Sequence, residues 1–247
     1  MNNTWLTLSI YSDQKSGDNL TMQRLGLDGN LKRTISSTPV DNLTFINDLS
    51  SSAFVAAGHS GKLLTSPSDG IIWTSMYTGT TERLRAVAHG DSTLVAVGYS
   101  GTILSTSDKT TLIARNSGTT NSLGNVAYGN GTFMSVGFYG TILTSSDGIT
   151  WTPRTSGTNY HLWGIVYGNN TWVTNGNNGT ILTSLDGITW TSRPRGISYK
   201  ILGVDYGGGN FVAGANNGTF FTSPDGINWT LRTSGHSEQF RRVYFKE

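Results

Sequence analysis

One phrase recurs along the chain and dominates its reading: Ser145-Ser146-Asp147-Gly148-Ile149-Thr150-Trp151, then Ser184-Leu185-Asp186-Gly187-Ile188-Thr189-Trp190, then Ser223-Pro224-Asp225-Gly226-Ile227-Asn228-Trp229. The spacing is 39 residues, and Trp73 stands two spacings before Trp151, with Leu112 at the missing Trp position. The rest of each unit repeats too, as Gly129-Asn130-Gly131-Thr132-Phe133 and Gly168-Asn169-Asn170-Thr171-Trp172 show. A repeat of this length is one supersecondary unit whose apolar face must be buried against its neighbours.

Each unit reads as four short strands. In one unit these are Leu123 to Gly129, Phe133 to Gly137, Thr141 to Ser145 and Trp151 to Arg154, with aromatic or β-branched residues at alternating positions. Asn178-Gly179 and Asn217-Gly218 are hairpin dipeptides, and no useful helical period occurs. Four-stranded units of about 40 residues predict an all-β fold, a β-propeller. Copies at Asp28, Asp69, Asp108, Asp147, Asp186 and Asp225 predict six blades. The last copy stops after Phe240-Arg241-Arg242-Val243-Tyr244, a first-strand run, whereas residues near the amino end read as second to fourth strands. The expectation is a single domain, residues 1–247, closed by pairing residues 1–36 with 240–247.

Composition narrows the function classes. Seven Trp, 10 Tyr and 9 Phe argue against disorder despite 32 Gly. The absence of Cys excludes disulfides and thiolate chemistry. A net charge of +2 is too weak a field to argue for nucleic acid or an anionic membrane. No apolar run approaches the ~20 residues of a membrane span. The first residues, Met1-Asn2-Asn3-Thr4-Trp5, lack the basic start and apolar stretch of a secretory signal. Synthesis in the cytoplasm is therefore expected, with function in a virion or outside the cell after release.

The Ser-x-Asp-Gly-x-x-Trp phrase resembles the Asp-box, or BNR-type, repeat of sialidases and of bacterial and phage surface propellers, with one residue fewer between Asp and Gly. The resemblance implies that the box lies on the hairpin joining the third and fourth strands, away from the ligand face. Its Asp (Asp69, Asp147, Asp186, Asp225) then holds turn N–H groups, and its Trp (Trp73, Trp151, Trp190, Trp229) packs between blades. The residue types agree, since Asp suits a turn that needs a side-chain acceptor, whereas calcium sites would call for more acids nearby. Arg115, Arg154, Arg193 and Arg232 each stand three residues beyond the box Trp position, and fit either outer-strand packing or a repeated sugar site.

Catalysis is not expected. The three Glu residues are Glu82, Glu238 and Glu247, and no acids form a pair recognisable as sugar-hydrolysing. His59, His89, His161 and His236 stand in different units without metal-ligand spacing. Nucleophile-elbow and phosphate-loop motifs are missing. No cofactor and no metal are expected.

Shared positions build a repeat protein and variable ones are free for function. The loop between second and third strands varies as His59-Ser60, Tyr99-Ser100, Phe138-Tyr139, Asn177-Asn178 and Asn216-Asn217. The connection between blades varies too, as in Asn159-Tyr160-His161. Tyr99, Phe138, Tyr139, Tyr160 and His161, with Trp163 beneath, are expected to form an aromatic sector suited to a protein or sugar contact; the alternative is that the rings fold inward between blades. The leading expectation is a non-catalytic structural or adhesion module of a larger assembly, a phage tail or fibre by composition, with other protein chains as partners and a cell-surface glycan as a further one. The alternatives are a propeller lectin, which the lack of a repeating Glu counts against, and a chaperone-like assembly factor of the kind known among photosystem-assembly propellers.

Overall fold

The structure, a computed structural model, describes residues 54–67, 70–106, 111–193, 196–240 and 242–245 in full, and 8–9, 21–25 and 31–36 as backbone strands. Near the amino end lie β1 (Leu8–Ser9), β2 (Thr21–Leu25) and β3 (Leu31–Ser36), with β2 and β3 forming an antiparallel pair. Five four-stranded sheets account for the other strands. The first holds β4 (Phe54–Ala57), β5 (Leu63–Ser66) and β6 (Thr74–Met76), with β1 beside β4. The second is β7 (Leu84–Gly90), β8 (Thr93–Gly98), β9 (Ile103–Thr106) and β10 (Ile113–Arg115). The third is β11 (Leu123–Gly129), β12 (Thr132–Gly137), β13 (Ile142–Ser145) and β14 (Thr152–Arg154). The fourth is β15 (Leu162–Gly168), β16 (Thr171–Gly176), β17 (Ile181–Ser184) and β18 (Thr191–Ser192). The fifth is β19 (Ile201–Gly207), β20 (Asn210–Ala215), β21 (Thr219–Ser223) and β22 (Thr230–Thr233).

From the second sheet onward each is an antiparallel meander in the predicted strand order, and first strands of successive sheets pack on one another, β7 on β11, β11 on β15 and β15 on β19. This is a propeller-like, all-β architecture. The core lies between sheets. One cluster joins Val95 and Val97 of the second sheet to Val126, Phe133 and Trp151 of the third. Others join Met134 to Trp172 and Trp190, and Val173 to Phe211 and Trp229. The box Trp therefore packs where two sheets meet. Leu112, standing where a Trp was due, packs beside the cluster of Leu94, Ala96 and Leu104.

A second device fixes the spacing of the sheets. Tyr128, Tyr167 and Tyr206 each pack, tilted, against the facing second-strand ring, Phe133, Trp172 and Phe211, at 4.6, 4.9 and 4.6 Å. Each Tyr also lies over a Gly of the preceding sheet: a Cβ on Gly90, Gly129 or Gly168 would stand 2.1, 2.5 or 2.2 Å from the ring of Tyr128, Tyr167 or Tyr206. Only a bare backbone admits the ring there. Burial and a hydrogen bond to Asp91 push the Tyr128 phenol up to about 12.

At the carboxyl end, Phe245 meets Gly207 as Tyr206 meets Gly168, and its N–H donates to Asp205 Oδ2 at 2.7 Å. Phe240 packs, tilted, against Phe220 at 4.8 Å. The segment thus occupies the place of a next first strand. At the amino end the expectation differs from the structure in one respect. β1 lies parallel to β4, with Leu8 opposite Ala56 and Ser9 opposite Ala57, whereas the sequence reading assigned that stretch to a closing blade. An unpaired strand edge accepts any neighbouring extended segment. A sheet joining the two chain ends is not found among the described residues. Asp28, Asp69 and Asp108 lie outside the described residues.

Candidate functional site

The strand meander gives each blade two ends. One carries the hairpins between first and second and between third and fourth strands. The other, the rim, carries the loops between second and third strands and the connections to the next blade.

The box end does structural work. Asp147 Oδ1 accepts the N–H groups of Ile149 and Thr150 at 2.8 and 2.9 Å and the hydroxyl of Ser145 at 2.9 Å. Asp186 and Asp225 repeat this with Ile188, Thr189 and Ser184, and with Ile227, Asn228 and Ser223. The N–H bonds of Thr150 and Thr189 lead in holding the Asp147 and Asp186 carboxyls below the usual range. At Asp225 burial pushes upward, and the N–H groups of Asn228 and Ile227 with the side chains of Asn228 and Ser223 outweigh it. Trp73, Trp151 and Trp229 donate Nε1–H to the carbonyls of Gly70, Gly148 and Gly226 at 3.1, 3.2 and 2.7 Å. Trp190 packs in the same way, yet its buried Nε1 has no acceptor. The repeated arginines cross-link outer strands: Arg115, Arg154, Arg193 and Arg232 donate Nε–H to Ser105, Thr144, Thr183 and Thr222 at 2.8, 2.9, 2.9 and 3.2 Å.

At the rim, the same backbone carries different side chains. The second-to-third-strand loops of the first four sheets share one turn, with Ser60, Ser100, Tyr139 and Asn178 at φ of 50, 54, 54 and 53°. The Gly that follows, Gly101 or Gly140, packs so tightly on the carbonyl of Thr119 or Thr158 that a Cβ would come to 1.9 Å. The loop of one blade is thereby tied to the connection leading to the next. First strands begin with a β-bulge, seen as register shifts between Leu84 and Ala86, Leu123 and Asn125, Leu162 and Gly164, and Ile201 and Gly203. The bulged residues are Arg85, Gly124, Trp163 and Leu202, and a bulge re-aims its side chain.

These two features assemble the cluster. His161 stacks on Phe138 at 4.3 Å and 11° between planes, and meets the rings of Tyr139 and Trp163 edge-on at 4.8 and 5.9 Å. Phe138 meets Trp163 edge-on at 5.4 Å. His161 Nδ1 accepts the backbone N–H of Tyr139 at 3.0 Å. That bond requires a bare Nδ1, so the ring is neutral and its proton sits on Nε2. Burial first, then the charge of Lys200, lower the His161 pKa and agree with that state. Trp163 Nε1–H donates to Asn177 Oδ1 at 2.8 Å. Arg85 lies between two rings: its guanidinium is 5.4 Å from the Trp163 ring and 5.6 Å from the Tyr99 ring, and Arg83 lies 5.7 Å from Tyr99 on its own account.

Of the six sequence-derived residues, Phe138, Tyr139, His161 and Trp163 are brought into one cluster, and Tyr99 joins through Arg85. Tyr160 is 48% exposed and its N–H donates to Thr158 Oγ1; no ring contact ties it to the others. Arg83, Arg85 and Asn177 were not anticipated as part of this cluster. The signal was present: aligning units at 39-residue steps places Arg85, Gly124, Trp163 and Leu202 in one column, and Arg83, Ser122, His161 and Lys200 in another.

No protein-family model matches the sequence, and no curated protein matches it. Solved structures do match in fold. A structure titled "YCF48 bound to D1 peptide" aligns at a TM-score of 0.58 and 17% identity, covering 72% of this chain and 63% of that one. The WD40 β-propeller domain of Doa1 aligns at 0.59 and 15% identity, over 78% of this chain and 68% of the other. Sqt1 of Chaetomium thermophilum aligns at 0.60 and 13% identity, over 85% and 63%. The chain thus spans less than two thirds of the YCF48 and Sqt1 chains. At these identities the likeness is one of fold alone: the chain has a β-propeller architecture built of repeats.

Proposed function

We propose that the chain is a non-catalytic propeller that engages a protein partner through the rim cluster of Phe138, Tyr139, His161 and Trp163, as a component of a larger assembly. The observation that carries this reading is the inequality of the rim. One turn geometry serves successive blades, yet in one sector it presents a contiguous aromatic and guanidinium surface, while Asn177 and Asn216 fill the equivalent positions of the next two blades. Aromatic and Arg groups clustered this way are what protein contacts use. The YCF48 neighbour supports the choice of a protein ligand, since its title gives it bound to a peptide. A repeated lectin has less support, because the recurring arginines hold third-strand hydroxyls. The same reading takes the ring as six-bladed and closed by residues 1–36, apart from β1 beside β4, with 240–247, a view supported by Phe245 on Gly207. It also takes the box as an Asp-box variant, supported by the hydrogen bonds of Asp147, Asp186 and Asp225. A setting in a phage tail or fibre rests on composition alone.

The test is to recover the native complex with tagged chain and identify its members, beside His161→Ala and Trp163→Ala variants that keep the native melting temperature. Partner chains lost from both variants support the reading. Partner chains retained in full by both contradict it.

A further inference from the structure

Tyr139 is the anomaly in this sector. Its φ of 54° lies in the left-handed region, which is unfavourable for an L-residue with a large side chain. The equivalent residues, Ser60, Ser100 and Asn178, are small and polar and adopt the same φ. A bulky ring there gains little burial, for Tyr139 is 63% exposed. Backbone strain under an exposed aromatic is a mark of function.

The groups around that ring define what it meets. His161 has its Nδ1 occupied by the Tyr139 N–H and its ring clamped on Phe138. Its remaining polar atom is Nε2, which carries a hydrogen and donates. Lys200 is the His161 equivalent one blade further on. Its backbone is pinned by Asn216, whose N–H donates to the Lys200 carbonyl at 3.0 Å and whose Oδ1 accepts the Lys200 N–H at 3.2 Å. Its side chain is exposed, and no described carboxylate forms an ion pair with it. The rim column Arg83, Ser122, His161 and Lys200 contains donors and cations and no acid.

Building on the partner-binding reading above, we infer that this corner receives an acidic, extended segment of the partner, with one carboxylate between the His161 Nε2–H and the Lys200 ammonium and an adjoining side chain against the Tyr139 ring. A carboxylate is the group that accepts from both donors at once. The exposed ring supplies contact area at little entropic cost, as Tyr does in binding surfaces. Arg85, held between Tyr99 and Trp163, adds positive potential without touching the ligand.

The probe is a fluorescein-labelled random copolymer of Glu and Tyr, with a Lys–Tyr copolymer of equal length as comparator, read by fluorescence anisotropy on the full chain. The Glu–Tyr copolymer is expected to bind, more weakly as salt rises, and the Lys–Tyr copolymer is not. Lys200→Gln and Tyr139→Ser should each weaken binding about tenfold. Ser fits the turn, as Ser60 and Ser100 do, and Lys200→Gln tests the inference independently of any folding defect. Lys62→Gln removes the same charge from the rim of the first sheet and should change nothing. Equal binding of the two copolymers, or equal effects of Lys62→Gln and Lys200→Gln, would overturn the inference. If the native partner is lost from His161→Ala and Trp163→Ala while neither Lys200→Gln nor Tyr139→Ser alters copolymer binding, the partner site stands and its acidic chemistry falls.

Discussion

The two ends of the blades obey opposite rules. At the box end the residues repeat and so do their bonds: Asp147, Asp186 and Asp225 each hold two turn N–H groups and a Ser hydroxyl. At the rim the backbone repeats, down to the φ of one loop residue, and the side chains do not. Where residue and bond recur together, the group builds the fold. Where the backbone recurs and the side chain departs, the scaffold is presenting something. Tyr139 is the extreme case, a departure that the turn itself resists.

Breaking the box end should injure stability and leave recognition alone. Trp151 is buried between the second and third sheets with Val95 and Phe133. Trp151→Ala should cost about 3–5 kcal/mol, measured by denaturant unfolding, and the protein that remains folded should bind its partner normally. A large loss of affinity in fully folded protein would break the separation of the two ends.

A smaller effect comes from pH. The carboxyls of Asp147, Asp186 and Asp225 are depressed, so the folded state binds fewer protons than the unfolded chain. Their contribution is complete above the ordinary Asp value of about 3.9 and is lost as the pH falls below it towards the folded values. The melting temperature should therefore drop more steeply between pH 4 and about pH 2 than in the triple Asp→Asn variant at these positions. Parallel curves would show that the boxes do not act as charged turn clamps.

The smallest stability effect should fall at the rim. Tyr139→Asn relieves the left-handed strain and gives up one edge contact with His161, so stability should move by less than about 1 kcal/mol, while partner affinity falls. Destabilisation of several kcal/mol would place Tyr139 among the structural residues and erase the contrast.

This division also explains what the sequence revealed. The four-stranded unit, the box turn and the Trp between sheets were legible because each is written several times, so chance drift in one copy, such as Leu112, does not hide it. Tyr99, Phe138, Tyr139, His161 and Trp163 were legible as departures from that text. Arg85 was not, because its part depends on a bulge that turns its side chain and on a reach to Trp163 two blades away. Neither is visible in a periodicity, although the column of bulged residues could be aligned. The strain at Tyr139 needed φ angles, and β1 beside β4 involves a pairing that no repeat position encodes.

The central claim is that recognition resides at the rim sector and architecture at the box end. The most direct measurement places a photo-reactive benzoylphenylalanine at Tyr139 in one variant and at the exposed box residue Ile188 in another, and irradiates the assembled native complex. Cross-links to a partner chain from position 139 and none from position 188 are predicted. Cross-links from position 188 with none from 139 would contradict the account.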